Sequence, residues 1–101
     1  MWAQLVKARV KEGSLEKLQE LGHQWEEQVG RGTDSGWERI FVLRNANDPN
    51  EVYQLVYFES EDKARANERS SQHQEIVSQL SALMDGEPEY VDLIPMEEST
   101  R

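Results

Sequence analysis

The stretch EVYQLVYFESEDKARA, Glu51 to Ala66, decides the fold. Its first nine residues, Glu51 to Glu59, read as a strand. Val52, Val56 and Phe58 point one way, and Tyr53, Leu55 and Tyr57 the other, so the strand is apolar on both sides. Ser60 then offers an N-cap, with Glu61 and Asp62 in the first turn, where the helix dipole favours negative charge. A strand that runs into a capped helix and needs cover on both faces belongs inside a sheet with helices on one side and something further on the other.

Working outward gives the remaining elements. Trp37 to Arg44, WERIFVLR, is a second two-faced strand, with Phe41 and Leu43 opposite Ile40 and Val42. The NDPN run between the two strands supplies a hairpin turn, with Pro49 presetting the backbone between Asp48 and Asn50. Trp2 to Val10 alternates, with Trp2, Gln4, Val6, Ala8 and Val10 on one side and Ala3, Leu5, Lys7 and Arg9 on the other. Ser14 is placed to cap a helix running to about Val29, whose apolar stripe is Leu15, Leu18, Leu21, Trp25 and Val29. Gly22 lies on that stripe, and close contact with the sheet would explain it. Gly30 to Gly36 is a connector whose glycines precede no helix, so it is not a phosphate cradle.

After Ser60 the helix is first polar, DKARANERSS, then apolar at Ile76, Val77, Leu80, Leu83 and Met84, with a kink or break expected at Ser70-Ser71. Gly86 and Pro88 stop it, and Glu89 to Pro95 is the last strand. The order β-α-β-β-α-β predicts an α+β, ferredoxin-like domain over residues 1–96, an antiparallel four-stranded sheet with both helices on one face, followed by a loose tail over 97–101. Two helices cover one face only. The other implies a partner, most simply a second copy across a two-fold axis, so a homodimer is expected.

Composition narrows the partners. The chain has 101 residues, enough for one core. Twenty acidic and 11 basic side chains give a net charge of −9, which repels phosphate backbones and anionic lipid. Neither nucleic acid nor membrane is an expected partner. There is no cysteine, which removes disulfides, thiolate catalysis and cysteine-bound zinc. With no basic-then-apolar leader and no apolar run near a membrane span, the expected location is the cytoplasm.

MWAQLVKARVKEGSLEKL at the start, VLRNANDPNEVYQLVYFES in the hairpin, ESEDKARA at the helix entry and GEPEYVDLIP at the close resemble the antibiotic biosynthesis monooxygenase (ABM) domain, a member of the dimeric α/β-barrel group. The likeness runs from Met1 to about Met96. It implies a pocket between helices and sheet and, among the family's activities, cofactor-independent oxygenation of polycyclic phenols, quinol oxidation and haem degradation. The chain departs from these patterns in places. Quinol-acting members often carry a histidine where Asn67 stands, and a second that aligns with Gln72 or, after a one-residue slip, His73. The asparagine, tryptophan and histidine of the haem-degrading branch fall on Val6, Asn67 and Val77, and none is retained, so haem degradation is not expected.

The chemical groups are few. His73 falls in line with Ile76, Val77 and Leu80. It is either a packed imidazole satisfied by a tyrosine or carbonyl, or a pocket base toward a phenol, for which an ordinary pKa near 6.5 is suited. His23 lies amid Gln19, Glu20, Glu26 and Glu27 and reads as solvated. With the two histidines on different helices, no metal site is expected. Glu59, Glu61 and Asp62 are accounted for by the helix start. The aromatics serve packing first, but Trp25 and Phe58 could wall a flat aromatic ligand, with Asn67 hydrogen-bonding it. Gln4 and Gln54 either pair with each other or face the same cavity.

Three functions fit this reading. One is a monooxygenase needing no cofactor, acting on a phenolic, quinol or polyketide-type aromatic substrate with His73 as base. The second is a non-catalytic dimer that binds a small hydrophobic ligand or a protein. The third is a cyclase that folds a polyketide chain.

Overall fold

A computed structural model of the chain describes residues 1–27, 36–69 and 71–101, with Trp25, Ser71, Gln72, His73 and Ile76 described by their backbone alone. The elements are β1 (Trp2–Arg9), α1 (Leu15–Trp25), β2 (Trp37–Asn45), β3 (Asp48–Phe58), α2 (Glu61–Arg69), α3 (Ser71–Ser81) and β4 (Glu89–Leu93). The sheet is antiparallel in the order β2-β3-β1-β4, the ferredoxin-like arrangement the sequence implies. The expected break appears as two helices, α2 ending at Arg69 and α3 starting at Ser71. Most of the Gly30–Gly36 connector, and Val29 at the expected end of α1, lie outside the described residues.

Register fixes the two faces, because residues directly opposite in an antiparallel pair share a side. On the outer side Val91, Leu5, Leu55 and Phe41 make one row across all four strands. On the inner side, under the helices, rows run through Tyr90, Val6, Gln54 and Val42 and through Asp92, Gln4, Val56 and Ile40. Two buried clusters anchor that inner side. Ala8, Val10 and Val52 pack with Leu15, Leu18 and Met84 at one end. Val56, Phe58 and Ala64 pack with Trp2, Trp37 and Ile40 at the other. The outer row remains open: Phe41 is 44% and Val91 43% exposed, although Phe41 meets the Tyr57 ring edge-on at 6.3 Å.

The hairpin differs from expectation. Ala46 and Asn47 make the turn, and Asp48 to Asn50 already belong to β3. Side chains drive the early start. Asn45 Oδ1 accepts from the Asn47 N–H (2.8 Å) and Asp48 Oδ1 from the Asn50 N–H (3.0 Å), closing two local turns. Pro49 has no N–H to give a ladder and sits where the register slips between Arg44↔Val52 and Asn45↔Asp48.

The two helix starts also differ from each other. Ser60 caps α2 as expected, its hydroxyl accepting from the Lys63 N–H at 3.2 Å. Ser14 holds the N-cap position of α1, but its side chain makes no capping bond. Gly36 is demanded twice over. Its φ is +71°, and a Cβ there would come within 2.5 Å of the Lys63 side chain.

Ion pairs tie the layers together. Arg65 of α2 reaches Asp92 of β4 (2.8 Å), Glu68 (3.2 Å) and Glu61 (3.4 Å), and its guanidinium lies 5.4 Å from the Trp2 ring centroid. The hydrogen bond from Arg65 holds the Asp92 carboxyl below its ordinary pKa. A carboxylate depressed in the folded state stabilises above its unfolded pKa of about 4 and loses that contribution as pH falls through the folded value. The gap in urea midpoint between wild type and Arg65→Gln is therefore expected to be constant from pH 7 to pH 5 and to close on further acidification. A gap that persists unchanged at pH 2 would refute the pairing.

Candidate functional site

Between the two buried clusters the inner face is not filled. A cavity of about 280 Å³ lies over the row of Val6, Gln54 and Val42. Gln4, Val6 and Ala8 of β1, Ile40 and Val42 of β2, and Val52, Gln54, Val56 and Phe58 of β3 form its floor. Leu18, Gly22, His23 and the following Glu26 line it from the α1 side, Asn67 and Glu68 from α2, and Val77, Leu80 and Ser81 from α3. Tyr90 of β4 closes one flank. The lining is apolar with a few polar groups, the composition of a small-molecule site. Val42 and Tyr90 reach 55% and 65% exposure although both point inward, because they stand at the two sheet edges and form the rim.

Asn67 is the most constrained of the polar groups. It is 6% exposed, and among the described residues nothing hydrogen-bonds its side-chain Oδ1. A buried carbonyl without a partner costs roughly 1–3 kcal/mol, so its retention asks for an explanation. Helix α2 fixes its direction. Ala64, one turn earlier, is fully buried against Val56 and Phe58, which turns position 67 inward as well. Gln4 is held beside it, its Nε2 donating to Glu68 Oε1 (2.6 Å) and Asp92 Oδ1 (3.2 Å). Gln4 and Gln54 thus face one cavity and are not a mutual pair. Burial, with Glu68 adding to it, raises the Tyr90 phenol above its ordinary pKa, keeping it a neutral hydroxyl.

Of the residues singled out from the sequence, Phe58 and Asn67 both line this cavity. The Trp25 and His73 side chains lie outside the described residues. His73 occupies α3 four positions before the cavity-lining Val77. His23 is exposed, as a solvated face requires, yet it also borders the cavity. Gly22 corrects an expectation: a Cβ there would meet nothing within 4 Å, so it opens onto the cavity and makes no close contact with the sheet. Gly22→Ala is accordingly expected to stabilise the fold by about 0.5–1 kcal/mol through helix propensity, read as a rise of a few degrees in Tm. A fall in Tm would mean that position 22 is crowded. Glu68 and Tyr90 were not singled out by the sequence. Tyr90 was accessible through the alternation of EYVDL, which puts it on the face of Asp92. Glu68 carried no signal.

Among the described residues no group of three or more His, Asp or Glu side chains could hold a metal ion, and no helix is long and apolar enough to cross a membrane. No protein-family model and no curated protein matches the chain. Solved structures do. A Nitrosomonas europaea protein provisionally named an antibiotic biosynthesis monooxygenase superposes with a TM-score of 0.81 at 21% identity, over 96% of this chain and 100% of that one. A Deinococcus radiodurans protein with the same provisional name gives 0.82 at 9% identity, over 100% and 98%. An asparagine-to-alanine variant of SnoaB, a cofactor-independent oxygenase from Streptomyces nogalater, gives 0.79 at 14% identity, over 96% and 95%. The chain has the ferredoxin-like fold of the ABM structures from end to end. At these identities the fold is what is shared.

Proposed function

We propose that this chain is a homodimeric, ABM-like monooxygenase that works without a cofactor on a phenolic, quinol or polyketide-type aromatic substrate bound in the 280 Å³ cavity. The observation that carries the reading is the buried Asn67 at the wall of a mainly apolar chamber, its carbonyl without a hydrogen bond among the described residues. Once the Asn67 amide rotates toward the chamber, a phenolic O–H donates to that oxygen, and Phe58, Val56 and Val6 give the ring its apolar bed. His73 takes the substrate proton. The electron-rich anion then reduces dioxygen itself: for a ring CH2, one oxygen atom enters as a carbonyl and the other leaves as water with both hydrogens. The chain contributes desolvation, orientation and one base. The second copy covers the outer sheet face around Leu5, Leu55 and Phe41.

A specific observation favours a second reading, a dimer that binds a hydrophobic ligand without transforming it. Among the described residues lining the cavity, the only imidazole is the exposed His23. Oxygen uptake separates the two. Purified protein with polycyclic quinols or anthrone-type phenols is expected to consume one dioxygen per substrate, and His73→Ala to lose that uptake. Binding without uptake across the panel supports the second reading. Uptake that survives His73→Ala removes that residue from the reaction.

A further inference from the structure

The charged groups around the cavity are one-sided. Glu68 stands on the α2 wall and Glu26 on the α1 wall, and among the described residues no lysine or arginine lines the chamber. His23 on the rim is the other titratable group of opposite potential, and it is exposed to solvent. Arg65 does not cancel Glu68, since the same guanidinium is shared with Asp92 and Glu61. The Gln4 amide nitrogen, a donor that could face a ligand, is spent on Glu68 and Asp92. Beside them the 6%-exposed Asn67 also lines the chamber, with no hydrogen bond to its Oδ1 among the described residues.

Resting on the cavity as the substrate site, we infer that its ligand is an aromatic molecule that presents hydrogen-bond donors, hydroxyl or protonated amine, and carries no carboxylate or phosphate. An anionic group entering the chamber meets Glu26 and Glu68 on opposite walls, and finds no cation among the described lining residues. A donor finds the two carboxylates. The overall charge of −9 acts in the same sense on approach. The selection is therefore built into the walls as well as the surface.

Three probes with one ring system test this: naphthol, naphthylmethylamine and naphthoate, titrated by calorimetry at pH 7 and low salt. Naphthol and the amine are expected to bind, and naphthoate to bind at least about tenfold more weakly. Glu26→Gln with Glu68→Gln should shrink that gap. Gly22→Leu, whose side chain enters the open space beside α1, should remove all three. Naphthoate binding as tightly as naphthol, or a gap untouched by the double variant, overturns the charge selection while leaving the cavity as a binding site. An amine still bound in Gly22→Leu assigns the attraction to the outer surface and overturns it too. If none of the three binds wild type, the cavity reading fails, and the selection with it.

Discussion

If the proposed homodimer holds at micromolar concentration, Leu55→Glu is expected to yield a folded monomer, seen by light scattering as a halving of mass to 11.7 kDa. Leu55 sits at the middle of the outer row, between Leu5 and Phe41, on the side of the sheet that no helix covers. Across a two-fold axis each introduced carboxylate would face the other copy's apolar face, and desolvating it costs several kcal/mol per charge. A micromolar dimer is held by about 8 kcal/mol, so two such penalties move its Kd by a thousandfold or more. The inner clusters beneath the helices do not include Leu55, and the circular dichroism spectrum should therefore be unchanged. A wild-type chain that is monomeric at tens of micromolar, or a Leu55→Glu variant that stays dimeric, would show that the outer face is covered in some other way.

Asn67→Leu should separate stability from activity. Replacing a buried carbonyl that lacks a partner among the described residues with an apolar group of similar size removes an unmet desolvation cost, for an expected gain of about 1 kcal/mol in unfolding free energy. The same change deletes the acceptor proposed to orient the substrate hydroxyl, and kcat/KM for a phenolic substrate should then fall by about a hundredfold, the scale of losing one fixed polar contact at a reacting centre. A stability–activity trade-off of this kind is the signature of a group kept for function. Destabilisation together with full activity would make Asn67 a structural residue whose carbonyl is met by a buried water.

Much of the fold could be read directly. Period-two alternation assigned the inward and outward sides of β1 and β3, and the register agrees with it, Val6 opposite Gln54 inward and Leu5 opposite Leu55 outward. The change from polar DKARANERSS to the stripe that starts at Ile76, with a break expected at Ser70-Ser71, foretold the division of α2 from α3. Phe58 was legible as a cavity residue from its place as an aromatic at the end of the third strand, and Asn67 from the resemblance, since it stands where quinol-acting members carry a histidine. The turn position was not legible: NDPN has strong turn chemistry, but Asn45 and Asp48 spend it on side-chain bonds that close the hairpin at Ala46–Asn47. Gly22 was misread for a related reason. A glycine that admits a close neighbour and one that leaves room for a ligand look alike in sequence, and only the distance across the fold tells them apart. Glu68 joins the site through Gln4 and Tyr90, both far from it along the chain.

The strand order also dictates a schedule for the growing polypeptide. Of the described elements β1 is synthesised first, yet it lies in the interior of the sheet, flanked by β3 and β4. Leu5 must wait for Leu55 to gain its first neighbour and for Val91 to gain its second. Meanwhile β2 and β3, joined by a two-residue turn, can zip together on their own within microseconds. β4, the last of these four strands to leave the ribosome, therefore completes β1. Until it does, β1 carries an open edge that a holdase or another nascent chain can claim, and a message truncated before Glu89 would produce a chain prone to aggregation even though the hairpin and both buried clusters were fully encoded.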